Sequence, residues 1–187
     1  RLIFLPCYAL VDIILMNPPY GGTEKKSIQN NFPSELRCSE TADLFLVEIM
    51  FRLKSNGKCG IVLPDGFLSS IDGTKTSLKK KLLEGFNLHT IIRLPSSIFA
   101  PYTSIATNLL FFDNNGSTKD VWFYRVDLPK GYKAFSKTKP VELKHFSEAI
   151  TWWNNRIEIK DKEMEDLEKN TWKSKKINIK DIVEKKI

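Results

Sequence analysis

"VDIILMNPPYGG", residues 11–22, is the stretch on which the fold turns. Val11, Ile13, Ile14, Leu15 and Met16 form an apolar run broken only by Asp12. Such a run marks a strand covered on both faces, the habit of a parallel sheet flanked by helices. It stops against Asn17, Pro18 and Pro19. Neither proline has a backbone donor, so neither continues a central strand or extends a helix. Tyr20, Gly21 and Gly22 then complete a stiff turn. The two glycines let the chain leave without crowding a ligand.

The sequence after this turn repeats the strand-then-proline pattern twice. Residues 23–40 are polar, contain Pro33 and show no clear period, so they read as a long loop, of the length that is usually functional or mobile. Ala42, Phe45, Leu46, Ile49, Met50 and Leu53 recur at helical spacing and predict a helix over about 41–54, with Thr41 as N-cap and Gly57 as the stop. "KCGIVLP" (58–64) is a second buried strand, followed by a turn-rich loop, "DGFLSSIDGTK". A second helix is predicted over 74–85, with Leu78, Leu82 and Phe86 inward and Lys75, Lys79, Lys80 and Lys81 outward as a solvated face. "LHTIIRLP" (88–95) is a third strand. "TNLLFFDN" (107–114) and "VWFYRV" (121–126) flank an Asn-Asn-Gly turn and predict a hairpin. Residues 155–187 are dense in Lys and Glu and read as a solvated helix. Strands alternating with helices predict an α/β fold with right-handed crossovers and a parallel sheet. In such sheets the working residues stand beyond the carboxyl ends of the strands.

Composition bounds the partners. The chain has 187 residues, 42% of them hydrophobic, enough for one ordinary domain. Its net charge of +7 is spread along the chain rather than gathered in a tail, which suits a polyanion without identifying one. Cys7, Cys38 and Cys59 are odd in number and far apart. That pattern argues against a disulfide framework or a zinc site and for reduced thiols in a cytoplasmic protein. His89 and His145 have no neighbours in sequence that make a triad or a ligand pair, so no metal is expected. No apolar run reaches membrane-spanning length, and "RLIFLPCYAL" (1–10), broken by Pro6, reads as core rather than signal peptide.

The turn at 17–20 suits one kind of ligand. Asn17 offers a side-chain acceptor, Pro18 a free backbone carbonyl, and Pro19 stiffens both. Tyr20 adds a flat ring beside them. A planar heterocycle bearing an exocyclic amine fits this set: the ring stacks on Tyr20, and the two N–H bonds go to Asn17 Oδ1 and the Pro18 carbonyl. An aryl amine is a poor nucleophile because its lone pair is conjugated into the ring. Two fixed acceptors turn the nitrogen towards tetrahedral geometry and free that pair, with no reorganisation during reaction.

"VDIILMNPPYGG", "TADLFLVEIMFRLKSNGKCGIVLPDGFL", "LHTIIRLPSSIFAPYTSIATNLLFFDNN" and "KDVWFYRVDLPKGY", in that order, resemble the modification (M) subunit of type I restriction–modification systems. These are N6-adenine DNA methyltransferases that use S-adenosylmethionine. The likeness covers about 11–180. It implies a Rossmann-like S-adenosylmethionine-dependent methyltransferase fold, present here as the C-terminal strands of a doubly wound sheet. It also implies that residues 1–136 are a partial catalytic domain and 137–187 a charged, largely helical extension. Carried over residue by residue, Asn17, Pro18, Pro19 and Tyr20 are the catalytic turn that holds an adenine flipped out of the duplex. Phe99 and Tyr102 lie where the family often places a second aromatic against the base. Asp65 and Gly66, beyond the second strand, are candidates for shaping the cleft. The implied partners are double-stranded DNA and the specificity and restriction subunits.

The family's cofactor loop, a strand and a Phe-x-Gly-x-Gly turn upstream of the catalytic motif, has no counterpart in residues 1–10, and the chain begins with Arg. The chain is therefore read as a truncated form. S-adenosylmethionine binding is expected to be weak or absent, and the edge of the strand at 11–16 to be covered by residues 1–10 or paired with another chain. Two other readings stand beside this one. One is an amino-methyltransferase acting on protein glutamine or RNA. The other is a non-catalytic remnant that binds DNA or a partner subunit.

Overall fold

The computed structural model describes residues 10–161 and 172–184. Among them the strands are β1 (Val11–Met16), β2 (Leu53–Pro64), β3 (Asn87–Arg93), β4 (Thr107–Asp113), β5 (Asp120–Arg125), β6 (Ile159–Lys160) and β7 (Trp172–Asn178). The helices are α1 (Lys26–Gln29), α2 (Thr41–Arg52), α3 (Asp65–Ser69), α4 (Gly73–Gly85), α5 (Ser147–Asn154) and α6 (Ile179–Glu184). The strands make one sheet in the order β1-β2-β4-β3-β5-β7-β6. β1 runs parallel to β2 and β3 parallel to β5, while β4 lies antiparallel between β2 and β3. β7 lies antiparallel between β5 and β6. The carboxyl ends of β1, β2, β3 and β5 therefore share one rim, and β4 starts there.

Apolar side chains on both faces hold the sheet. Cys59, Ile61 and Leu63 of β2 and Leu110 and Phe112 of β4 pack with Leu46, Val47 and Ile49 of α2 and Leu78 and Leu82 of α4. On the other face Ile92 of β3 and Tyr124 of β5 pack with Phe135 and with Ala149 and Trp152 of α5. Each fully buried aliphatic side chain contributes about 1.5–3 kcal/mol. The expected α/β arrangement is present: α2, α4 and four of the five expected strands lie within two residues of their predicted bounds, and β2 starts five residues early. No helix among the described residues is long and apolar enough to cross a membrane.

Seven local expectations are corrected. β1 is an edge strand: its one described neighbour is β2, and Ile13 and Leu15 are 67% and 79% exposed, so the run is not covered on both faces. Residues 1–9, expected to cover it, lie outside the described residues. The predicted hairpin does not form. β4 inserts between β2 and β3, which buries Leu110 and Phe112 completely, and β5 joins the far side of β3. The Asn-Asn-Gly turn is fastened to a kink in β2 instead: Asn114 N–H donates to the Gly57 carbonyl, and Asn56 N–H to the Asn114 carbonyl. Gly57 does not stop α2, which ends at Arg52 and passes directly into β2. Glu40, not Thr41, takes the N-cap position, because Thr41 already has helical placement and turns its hydroxyl to Glu24.

The segment after Pro64 is a short helix, α3, rather than an open turn. Lys79 steadies its end by donating to the carbonyls of Leu68 (3.0 Å) and Ser70 (2.7 Å). Lys75 is buried rather than outward, drawn in by Glu40 (2.8 Å) and Asp43 (3.5 Å). Trp172–Asn178, within the expected solvated helix, is a strand. Two of its lysines reach carboxylates on neighbouring elements, Lys176 to Asp120 of β5 and Lys173 to Glu148 of α5 and to Asp127.

Candidate functional site

β1 delivers its last residues to the shared rim, and the proline turn begins there. Asn17 and Pro19 are exposed, Pro18 is buried, and Tyr20 is half-buried against the core. The Tyr20 hydroxyl donates to Asn17 Oδ1. An amide oxygen has two lone pairs, so a second acceptor position remains on Asn17. Burial pushes the Tyr20 phenol up to about 12, which keeps it a donor well above neutral pH.

The exit from the turn is fixed to α2. Gly21 adopts φ +70°, a left-handed conformation that favours glycine. A Cβ on Gly22 would lie 2.7 Å from Thr41 Oγ1, so only glycine lets the chain pass the start of α2 at this distance. Thr41 N–H donates to the Gly22 carbonyl (3.0 Å), Thr41 Oγ1 donates to Glu24 Oε1 (3.2 Å), and Glu24 N–H donates to the Ser39 carbonyl (2.8 Å). The first turn of α2 is anchored in turn on α4 through Asp43 and Lys75. Asp43 is fully buried and neither of its carboxylate oxygens is hydrogen-bonded. Burial, partly offset by Lys75, pushes its carboxyl up to about 6.

The rim gathers some of the expected site residues and not others. Phe99, on the loop between β3 and β4, stands 6.1 Å from the Tyr20 ring, tilted by 53°. The two aromatics therefore touch each other beyond the end of β1. Tyr102 is 92% exposed and takes no place beside them. Asp65 sits at the end of β2 and binds protein groups: Arg93 Nη1 (2.7 Å), Arg93 Nη2 (3.3 Å) and Asn108 Nδ2 (3.1 Å). Gly66 is exposed, and a Cβ there would meet nothing within 4 Å, so no close approach requires it.

Arg93 and Asn108 were missed from the sequence. The usable signal was a polar residue at the start of an otherwise apolar strand, "TNLLFF", facing an Asp at the end of another. A hollow of about 430 Å³ continues along the rim past Asp65, Arg93, Arg125, Lys173 and Lys175. Arg93, Arg125 and Lys173 are already paired with carboxylates. Cys38 and Cys59 carry free thiols, both pushed up to about 12 by burial and so unsuited to act as nucleophiles; Cys7 lies outside the described residues. Among the described residues no group of His, Cys, Asp and Glu is arranged to hold a metal.

Comparison with known proteins agrees with this architecture. The family model for N-6 DNA Methylase matches residues 8–186. The type I restriction enzyme EcoEI methylase subunit of Escherichia coli is 51% identical over 148 residues, which is 79% of this chain and 30% of that subunit. The chain thus spans about a third of the length of such relatives. A crystal structure assigned as a modification subunit of a type I restriction enzyme from Vibrio vulnificus YJ016 superposes with a TM-score of 0.81 at 44% identity, covering 91% of this chain and 34% of that one. In fold alone, the chain also resembles a protein from Listeria monocytogenes assigned as a class I S-adenosylmethionine-dependent methyltransferase (TM-score 0.53, 18% identity, 79% of this chain and 43% of that one). The chain belongs to the N-6 DNA methylase family.

Proposed function

We propose that this chain supplies the base-holding half of an adenine-specific DNA methyltransferase of a type I restriction–modification system. The single observation that carries the reading is the arrangement at the rim. A stiff Asn17-Pro18-Pro19-Tyr20 turn presents two acceptors, and the Tyr20 and Phe99 rings stand 6.1 Å apart beside them. Adenine leaves the duplex to be reached. Its ring stacks on Tyr20, with Phe99, which touches the Tyr20 ring, at its border. One amine N–H goes to the free lone pair of Asn17 Oδ1 and the other to the Pro18 carbonyl. Held there, N6 develops its lone pair and becomes the nucleophile. The proton it then loses passes along the Asn17 and Pro18 contacts towards solvent, which reaches Asn17.

S-adenosylmethionine is the donor that the family implies. Among the described residues no glycine-rich strand-to-helix turn faces Asn17, and Asn17 is the end of an edge strand. The described residues therefore do not make a cofactor site. Binding of the donor is assigned to polypeptide outside them, and no step here is routed through it. The free edge of β1, with Ile13 and Leu15 exposed, is the surface against which that polypeptide packs. The partners in the complex are double-stranded DNA and the specificity and restriction subunits.

The test is methyl transfer from tritiated S-adenosylmethionine by the protein containing this chain, offered unmethylated DNA, RNA and protein in parallel. Label confined to adenine in DNA supports the proposal. Label in RNA or in glutamine side chains contradicts it.

A further inference from the structure

The loop that carries Phe99 has a long way to go. It leaves β3 at Arg93 and returns in β4 at Thr107, yet Phe99 meets Tyr20 beyond the end of β1. In the order β1-β2-β4-β3, the ends of β3 and β1 are three strand spacings apart, about 14 Å. The loop therefore crosses over the end of β2, where Asp65 stands.

Asp65 touches the loop at both feet. Its carboxylate accepts a two-pronged bond from Arg93, the last residue before the loop, and a bond from Asn108, the second residue after it. Its backbone N–H donates to the carbonyl of Ala106, inside the loop (2.8 Å). Asn108 is fully buried, so an unpaired side-chain amide there would be costly. The feet are also drawn together by Leu94 N–H on the Thr107 carbonyl (3.0 Å). The neighbouring Thr107 hydroxyl is buried and makes no hydrogen bond, which leaves Asp65 as the side chain that ties both feet. Away from the feet, Ser97 Oγ accepts from Phe135 N–H, and Leu94 and Ile98 are buried in the second core with Phe99 packed against it, contacts that hold the loop's first half without reaching its β4 foot.

We infer that Asp65 is a positioning residue, whose carboxylate ties the two feet of the 94–106 loop at the end of β2 and so sets where Phe99 meets Tyr20, at the border of the place that receives the base. This rests on the base-holding reading above and assigns Asp65 no contact with the base. Charge and geometry both matter. One carboxylate serves two donors on different strands, and an amide in its place can accept from both only weakly.

The experiment has two arms. In this chain, nuclear Overhauser contacts between the labelled Tyr20 and Phe99 rings are compared in wild type, Asp65→Ala and Arg93→Ala. The expected result is ring contact in wild type, lost in Asp65→Ala and weakened in Arg93→Ala, with the thermal transition still cooperative. Arg93 is exposed, so its variant decides the matter if Asp65→Ala does not fold. In the protein containing this chain, Asp65→Ala lowers kcat/KM for unmethylated DNA by about 100-fold, and Asp65→Asn recovers part of that loss. Undiminished ring contact in both variants overturns the inference and leaves the role of Asn17 untouched. If Asn17→Ala methylates DNA normally, the base-holding reading fails while the ring-contact result still stands.

Discussion

Asn17 and Tyr20 are coupled by a hydrogen bond, and that coupling shows at the level of single residues. Burial holds the Tyr20 phenol at about 12 against an ordinary value of 10.0. The ultraviolet difference between wild type and Tyr20→Phe across a pH titration should therefore show a phenolate appearing near 12; a midpoint near 10 would mean that the ring is solvated. Replacing Tyr20 by Ala removes a stacking surface worth about 1–3 kcal/mol per base, whereas Phe keeps it. Fluorescence anisotropy with a DNA duplex carrying an abasic or mismatched partner for the target adenine should then rank wild type and Tyr20→Phe above Tyr20→Ala. The proline turn was legible from the sequence because its residue types are rare together at a strand end. Phe99 was legible only through the family resemblance. Arg93 and Asn108 were not, because their partner Asp65 is 28 and 43 residues away, and no local period joins them.

Elements were read well where their signal was local and poorly where a distant element decided. The apolar stripe of α2 and the run of β2 each carry their own period, and both formed. The hairpin failed because the pairing of β4 is chosen by burial. Between β2 and β3 it covers Leu110 and Phe112 on both sides, which a two-stranded ribbon with β5 would leave half open. Lys75 was misread for the same kind of reason, since Glu40 and Asp43 reach it from another helix.

That cluster gives a pH prediction. The folded state holds the Asp43 proton more tightly than the unfolded chain does, about 6 against 3.8. Its contribution to stability is thus complete below about pH 3.8 and is lost as pH rises through 6. Lys75 is raised as well, so its contribution persists through neutral pH and is lost only in the alkaline range. Glu40 and Asp72, the other charges near Asp43, both oppose its ionisation. Asp43→Asn should therefore stabilise the fold by about 1–3 kcal/mol at pH 7.5 and by little at pH 4, read by thermal unfolding followed by circular dichroism. A lower midpoint at pH 7.5 would show that attraction to Lys75 outweighs burial.

For the whole molecule the governing fact is an open sheet. β1 has one described neighbour, and Ile13 and Leu15 stand exposed on it. Such an edge pairs with other strands. The chain alone should self-associate in sedimentation experiments, and Ile13→Lys with Leu15→Lys should shift it towards monomer; unchanged association would place the contact elsewhere. The same openness predicts that isothermal calorimetry of this chain with S-adenosylmethionine gives little or no heat of binding, whereas micromolar affinity would mean that the described residues hold the donor after all. The α/β class was visible in the sequence because strand and helix periods alternate. The strand at 172–178 was not, because its apolar content is low and two of its lysines, Lys173 and Lys176, are satisfied by carboxylates on other elements.

The central claim is that the Asn17-Pro18-Pro19-Tyr20 turn holds adenine and activates its amine. It is tested most directly by measuring N6-methyladenine, by mass spectrometry of digested DNA, after reaction with the protein containing this chain, as wild type and as Asn17→Ala. Loss of a fixed acceptor at the reacting amine predicts a fall of about 100- to 1,000-fold in N6-methyladenine formed, with DNA binding retained. Equal N6-methyladenine from both proteins would contradict the account.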